Sequence, residues 1–207
     1  MGSILEWGAS VVISFIQATE YAGIAFLMAL ESASVPIPSE IIMPFAGYLV
    51  FTGSLNFFWV VFWGTMGNVI GSLVSYAIGY WGGRAFLNRF GRYIFVKQRD
   101  IQMAERFFHT YGALAVFLGR LLPIVRTFIS FPAGVARMNI WKFTIYTTLG
   151  CIPWSILLAY AGVAAGENWE FLKVYFHKFD WVIAFLLVVG AVWWVHRHFF
   201  VYSKEIA

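Results

Sequence analysis

The sequence predicts an all-α polytopic membrane protein built as an inverted-topology repeat, each repeat pairing a re-entrant broken-helix hairpin with a transmembrane helix. Three observations lead there. The 207-residue chain is 61% hydrophobic and 12% charged, against about 45–50% and about 25% in soluble domains, and its mean hydropathy is +0.76. Its charges are segregated, with Asp, Glu, Lys and Arg missing from 41–83 and again from 143–166. The chain also resembles itself at a nearly constant offset. This composition excludes a soluble globular domain. A single cysteine, Cys151, excludes an intrachain disulfide framework and a cysteine-built zinc site. The four histidines form no HxxxH pair, so neither metal nor cofactor is expected.

The elements follow in order along one membrane domain, 1–207. Residues 1–20 read as an N-terminal helix: the stretch 4–30 is apolar apart from Glu6 and Glu20 and lacks the basic start and small-residue cleavage site of a signal peptide. Repeat one, 21–83, holds a hairpin over 21–50, a turn at Gly53-Ser54-Leu55-Asn56 and a crossing over 57–83, long enough for the about 20 residues a span needs. The connector 84–109 has a net charge of +4 interleaved with Phe86, Phe90, Phe107 and Phe108, an amphipathic segment suited to an anionic leaflet and not to nucleic acid. Repeat two, 110–166, holds a second hairpin and a crossing over 143–166. An external loop, 167–180, precedes a C-terminal transmembrane helix and tail, 181–207.

Charge orients these segments. The connector, the stretch 135–142 and the C-terminus are basic, while 167–180 and 1–20 are net negative. The positive-inside rule then places the connector and C-terminus in the cytoplasm, and 167–180 and the N-terminus outside. The segment 110–134, lying between two cytoplasmic stretches, must enter and return. Pro123 and Pro132 are the expected breaks in that hairpin, and Pro36 and Pro38 those in the first. The repeat itself rests on Tyr21-Ala-Gly-Ile-Ala against Tyr111-Gly-Ala-Leu-Ala, and Pro44-Phe-Ala-Gly47 against Phe131-Pro-Ala-Gly134. An offset of 83 further pairs Asn56 with Asn139, Gly67 with Gly150, Gly79 with Gly162 and Gly83 with Gly166. Gly67, Gly71, Ser75, Gly79 and Gly83 form a small-residue ridge for close helix packing.

The hairpins carry charges. Glu31 and Glu40 flank the two prolines of the first, and Arg120 and Arg126 flank Pro123 in the second. An ionised group at the bilayer centre costs about 2.5–3.5 kcal/mol on insertion scales, so these four are expected to meet and pair near the midplane, in an arrangement the sequence leaves open. As mere staples they would contribute little, because a buried ion pair is often no better than apolar packing.

The pattern Glu31-x4-Pro36-x-Pro38-Ser-Glu40, then Gly119-Arg120-x2-Pro123-x2-Arg126, Ala133-Gly134 and Met138-x4-Phe143, closely resembles the DedA family (the SNARE-associated, or VTT, domain) over about residues 20–166. The resemblance implies a multi-pass protein of the bacterial inner membrane. It further implies a flippase that returns a lipid phosphate across the bilayer by proton motive force, undecaprenyl phosphate first and a phosphatidylethanolamine-type phospholipid as the alternative. The acidic pair of the family maps onto Glu31 and Glu40 as proton carriers and the basic pair onto Arg120 and Arg126.

Elementary chemistry points the same way. Planar guanidinium forks bind phosphate oxygens bidentately. Burial favours the protonated carboxyl and a nearby arginine the ionised one, so carboxylate and phosphate compete for the same arginines and protons become coupled to the lipid. Asn68, Ser39 and Thr127 are candidate lining residues. The expected partners are therefore a lipid phosphate, surrounding membrane lipids and protons; oligomeric state stays open. The rival class is an embedded lipid phosphatase using Ser39, Thr127 or Ser130, although no PSGH element or paired histidine accompanies them.

Overall fold

The computed structural model describes residues 4–35, 37, 39–83 and 98–166, which are helical and contain no strand. The elements are α1 (Ile4–Ser32), α2 (Ser39–Phe51), α3 (Phe57–Ile78) continued by a π-helical turn (Gly79–Gly83), α4 (Gln98–Leu121), two short helices α5 (Pro123–Phe128) and α6 (Ser130–Val135), and α7 (Ile140–Ala165). Pro36, Pro38, most of the expected connector, the loop 167–180 and the C-terminal helix lie outside the described residues.

Among the described residues, three stretches are long and apolar enough to cross a membrane: Val11–Ser32, Phe57–Gly83 and Ile140–Ala165. The second coincides with the predicted crossing 57–83, and the third begins slightly before the predicted 143 because the Asn139 side chain starts the helix early. The first extends across the expected boundary between the N-terminal helix, 1–20, and the segment from 21 onward. At that boundary α1 is two helical stretches joined across a kink at Glu20 (φ 51°, ψ −126°). A matching kink lies at Gly112 (φ 46°, ψ −120°) within α4. The apolar helices Ser39–Phe51 and Thr110–Leu121 are too short to span, since at about 1.5 Å per residue each reaches about 20 Å of a core about 30 Å thick.

The same junction is built twice. After α2, Gly53 takes a left-handed conformation (φ 80°), its N–H donating to Val50 O and that of Ser54 to Leu49 O. After α6, Arg137 does so (φ 51°), its N–H donating to Gly134 O and that of Met138 to Ala133 O. Both are Schellman endings. Each is followed by an asparagine that caps the next long helix: Asn56 Oδ1 accepts from Phe58 N at 2.9 Å, and Asn139 Oδ1 from Trp141 N at 3.0 Å and Lys142 N at 3.2 Å.

Two pairs of close backbone contacts, between α2 and α7 and between α6 and α3, match one another in sequence spacing. A Cβ on Gly47 of α2 would overlap the Ala159 carbonyl of α7, and one on Gly162 would overlap the Pro44 carbonyl. In the second pair, a Cβ on Gly134 of α6 would overlap the Tyr76 carbonyl of α3, and one on Gly79 the Phe131 carbonyl. The Ala-Gly pair of α2 thus beds against α7, and that of α6 against α3 and its π-helical turn. Gly67 and Gly71 similarly bring α3 onto the Ala25 and Ala29 carbonyls of α1. The glycine ridge is thus a packing surface, where close backbone approach brings helices together without a hydrophobic driving force. On the outside, Trp81 and Trp141 are 81% and 75% exposed, as suits aromatic side chains at a lipid boundary.

Candidate functional site

The ends of α1 and α4 and the starts of α2 and α5 carry Glu31, Arg120, Glu40 and Arg126, of which all but the half-buried Glu40 are buried. Glu31 lies in the last turn of α1, where the helix dipole disfavours an acid, so it depends on partners from elsewhere. Glu40 sits in the first turn of α2 and Arg120 in the last turn of α4, each where the dipole favours its charge. The chain breaks at Leu122 (φ −97°, ψ 123°), and Pro123 occupies the start of α5, where its missing N–H breaks no helical bond. α5 ends at Phe128. The N–H that Pro132 lacks is the one that would have bonded the Phe128 carbonyl, so the interruption falls at Ile129 and Pro132 itself lies inside α6.

The two arginines are held differently. Arg126 Nη2 donates to Glu31 Oε1 at 3.1 Å, to Glu40 Oε1 at 3.3 Å and to Ser39 Oγ. Its guanidinium also lies over the Trp154 ring, with Cζ 4.8 Å from the centroid. Arg120 is 2% exposed. Among the described residues, its hydrogen-bond partner is Ser130, whose Oγ accepts from Nη2 at 2.5 Å. Neither acid pairs with it. Gly150 leaves room for its stem, because a Cβ there would run into Arg120 Cβ. The Nε atoms of both arginines are buried without a partner, which is costly for a charged donor in an apolar interior.

Around the acids, Thr127 Oγ1 donates to Glu31 Oε1 at 3.3 Å, and Ser32 Oγ stands 3.3 Å from Glu31 Oε2 and 2.5 Å from Asn68 Oδ1. One hydroxyl proton cannot serve both neighbours. With the Asn68 amide turned so that its NH2 faces Ser32, the serine proton goes to Glu31 and all three groups are satisfied. Arg120, Arg126, Glu31, Glu40, Ser39, Thr127 and Asn68, all singled out from the sequence, thus meet in one place. Two contributors were not singled out from the sequence: Ser32 and Trp154. Ser32 had a signal, adjoining Glu31 with a hydroxyl in an apolar stretch. Trp154 had none, since its role depends on how α7 packs; Ser130, named only as a hydroxyl of the rival phosphatase reading, instead holds Arg120.

The arrangement has a chemical bias. Arg126 is paired with two carboxylates, of which Glu31 is buried and Glu40 half-buried. Arg120 keeps donors in hand beside it, and a guanidinium with free donors in a low-dielectric site binds phosphate or carboxylate oxygens.

A family model for the VTT domain matches residues 37–164. The chain is 41% identical over 170 residues, 82% of each chain, to a Bacillus subtilis protein named undecaprenyl phosphate transporter A. It is 29% identical over 192 residues to a Staphylococcus aureus protein of the same name, covering 91% of this chain and 95% of that one. A Lactococcus lactis protein named alkaline phosphatase-like protein is 32% identical over 204 residues, with 94% and 95% covered. No solved structure matches.

Proposed function

The chain belongs to the VTT-domain (DedA) family, and on that premise we propose that it is a membrane lipid transporter that moves an intact lipid phosphate, undecaprenyl phosphate first, across the bacterial inner membrane. The observation that carries this reading is Arg120: a buried guanidinium bound by a serine and no carboxylate, with an unpartnered Nε. Arg120 is the anchor for the phosphate. Arg126 is the switched partner, held by Glu31 and Glu40 while they are ionised. A proton on Glu31 removes its charge, loosens Arg126 and lets that guanidinium turn to the phosphate oxygens; loss of the proton restores the ion pair and expels the anion. The matching kinks, junctions and exchanged glycine contacts support an inverted repeat with the two short arms as re-entrant hairpins, and the basic charge of the connector and tail supports a cytoplasmic side for both.

The name of the Lactococcus relative favours a second reading, hydrolysis of the lipid phosphate. In this chain, however, Ser39 and Ser130 accept hydrogen bonds from arginines. Ser39 Oγ also stands 3.4 Å from Glu40 Oε2, and Thr127 Oγ1 donates to Glu31 Oε1 at 3.3 Å, but both carboxylates are ion-paired to Arg126, which weakens them as bases to activate a hydroxyl. Proteoliposomes holding the purified protein and a labelled lipid phosphate separate the two. Transport delivers intact lipid to the other leaflet with no inorganic phosphate released. Release of phosphate at the rate of lipid loss would make the protein an enzyme.

A further inference from the structure

A second feature lies apart from the buried cluster. A groove of about 490 Å3 runs between the end of α3 with its π-helical turn and the junction leading into α7, walled by Leu73, Tyr76, Tyr80, Trp81, Arg137 and Ile140. Its walls are apolar and aromatic, and it carries one cation. Arg137 is exposed and lies over the Tyr80 ring, with Cζ 5.4 Å from the centroid. Among the described residues no acid pairs with it. The volume falls within the about 300–1,000 Å3 of small-molecule sites.

Two local oddities coincide here. Arg137 occupies the left-handed position of a Schellman ending, which the equivalent junction fills with Gly53. A glycine would relieve that backbone, so the arginine is kept against local conformational preference, as strained residues at functional sites are. The opposite wall is the π-helical turn Gly79–Gly83, a form that recurs at functional sites.

We propose that this groove binds an anionic phospholipid of the surrounding bilayer, with its phosphodiester on the Arg137 guanidinium and the first part of a chain along the Tyr80 and Trp81 wall. Charge selects the class. One arginine matches the single negative charge of a phosphodiester, whereas a phosphate monoester carries about −1.5 to −2 and suits the paired arginines of the buried site. Position selects the source, because the groove opens beside exposed Trp81 and Trp141, where a membrane boundary is expected. The site is independent of the transport reading and needs only that the long helices span a bilayer.

Native mass spectrometry of the purified full-length protein tests it, with phosphatidylglycerol, phosphatidylcholine or a long-chain phosphate monoester added to the detergent. The wild type retains phosphatidylglycerol over phosphatidylcholine by about fivefold, the scale of one arginine at an anionic surface. R137G and R137Q lose that preference, R137K keeps most of it, and monoester retention stays the same in all of them. Unchanged phosphatidylglycerol retention in a folded R137G or R137Q protein overturns the proposal. So does loss of the monoester alone, which would make the groove part of the cargo path. If R137G melts well below the wild type, Arg137 is a structural staple and the proposal also fails.

Discussion

Replacing Arg126 with leucine is expected to destabilise the protein by about 3–5 kcal/mol, the range for stripping the partner from a buried charge. The structure divides this cost unequally between the acids. The Glu31 side chain is 7% exposed and the Glu40 side chain 32%, against 6% for Arg126. The Glu31 contact is therefore the desolvated one and the Glu40 contact is screened by its surroundings. E31Q is expected to cost about 1.5–3 kcal/mol, as for a hydrogen bond to a charged group, and E40Q about 0–1 kcal/mol, as for an exposed pair. In a double-mutant cycle, R126L with E31Q is less destabilised than the sum by about 0.5–3 kcal/mol, because the second change removes the orphaned carboxylate. Reversible unfolding of the detergent-solubilised protein by a denaturing detergent reads all four values. An E40Q cost equal to that of E31Q, or additivity in the R126L/E31Q pair, would refute the proposed division of the cluster.

Glycine substitutions separate packing from backbone effects. G47V and G162V, which force side chains into carbonyls of the facing helix, are expected to disrupt folding, while G82A, with open space around it, leaves the melting temperature unchanged. R137G relieves a left-handed backbone and is expected to stabilise by about 1 kcal/mol in the same unfolding assay. S130A leaves the Arg120 Nη2 without its partner and is expected to cost about 1.5–3 kcal/mol, which a lipid phosphate occupying Arg120 partly restores. Single cysteines introduced near Lys97 after replacement of Cys151 are expected to resist impermeant reagents in sealed cells; external labelling there would reverse the topology.

Much of this molecule is legible in the sequence because a bilayer imposes coarse rules. The charge-free run 41–83 yields the crossing and the turn before it, since a span has a fixed length and a buried charge is expensive. The Asn56 and Asn139 pairing marks two real helix starts because an N-cap is a local device. The pairing of Glu31 and Glu40 with Arg126 follows from the cost of leaving them apart, but the same argument predicts an acid partner for Arg120, which is held by Ser130 instead. Their division of labour was not legible. Whether Arg126 or Arg120 takes the acids depends on the break at Leu122 and on a six-residue helix that turns Arg126 toward α1. Ser130 and Trp154 complete the two sites through tertiary packing that no spacing encodes. Arg137 was hidden for the opposite reason: glycine is the expected residue at such an ending, so an arginine there gives no turn signal.

The account depends most on Arg120 as the phosphate anchor, and direct binding of a long-chain phosphate monoester to the purified protein tests that. Wild type, R120A, R120K and E31Q would be compared by lipid-dependent stabilisation against thermal unfolding. The account predicts stabilisation in the wild type and E31Q, none in R120A, and a weak effect in R120K, whose ammonium carries the charge without the fork. If R120A folds and is stabilised by the lipid as much as the wild type, the phosphate is held elsewhere and the central claim is wrong.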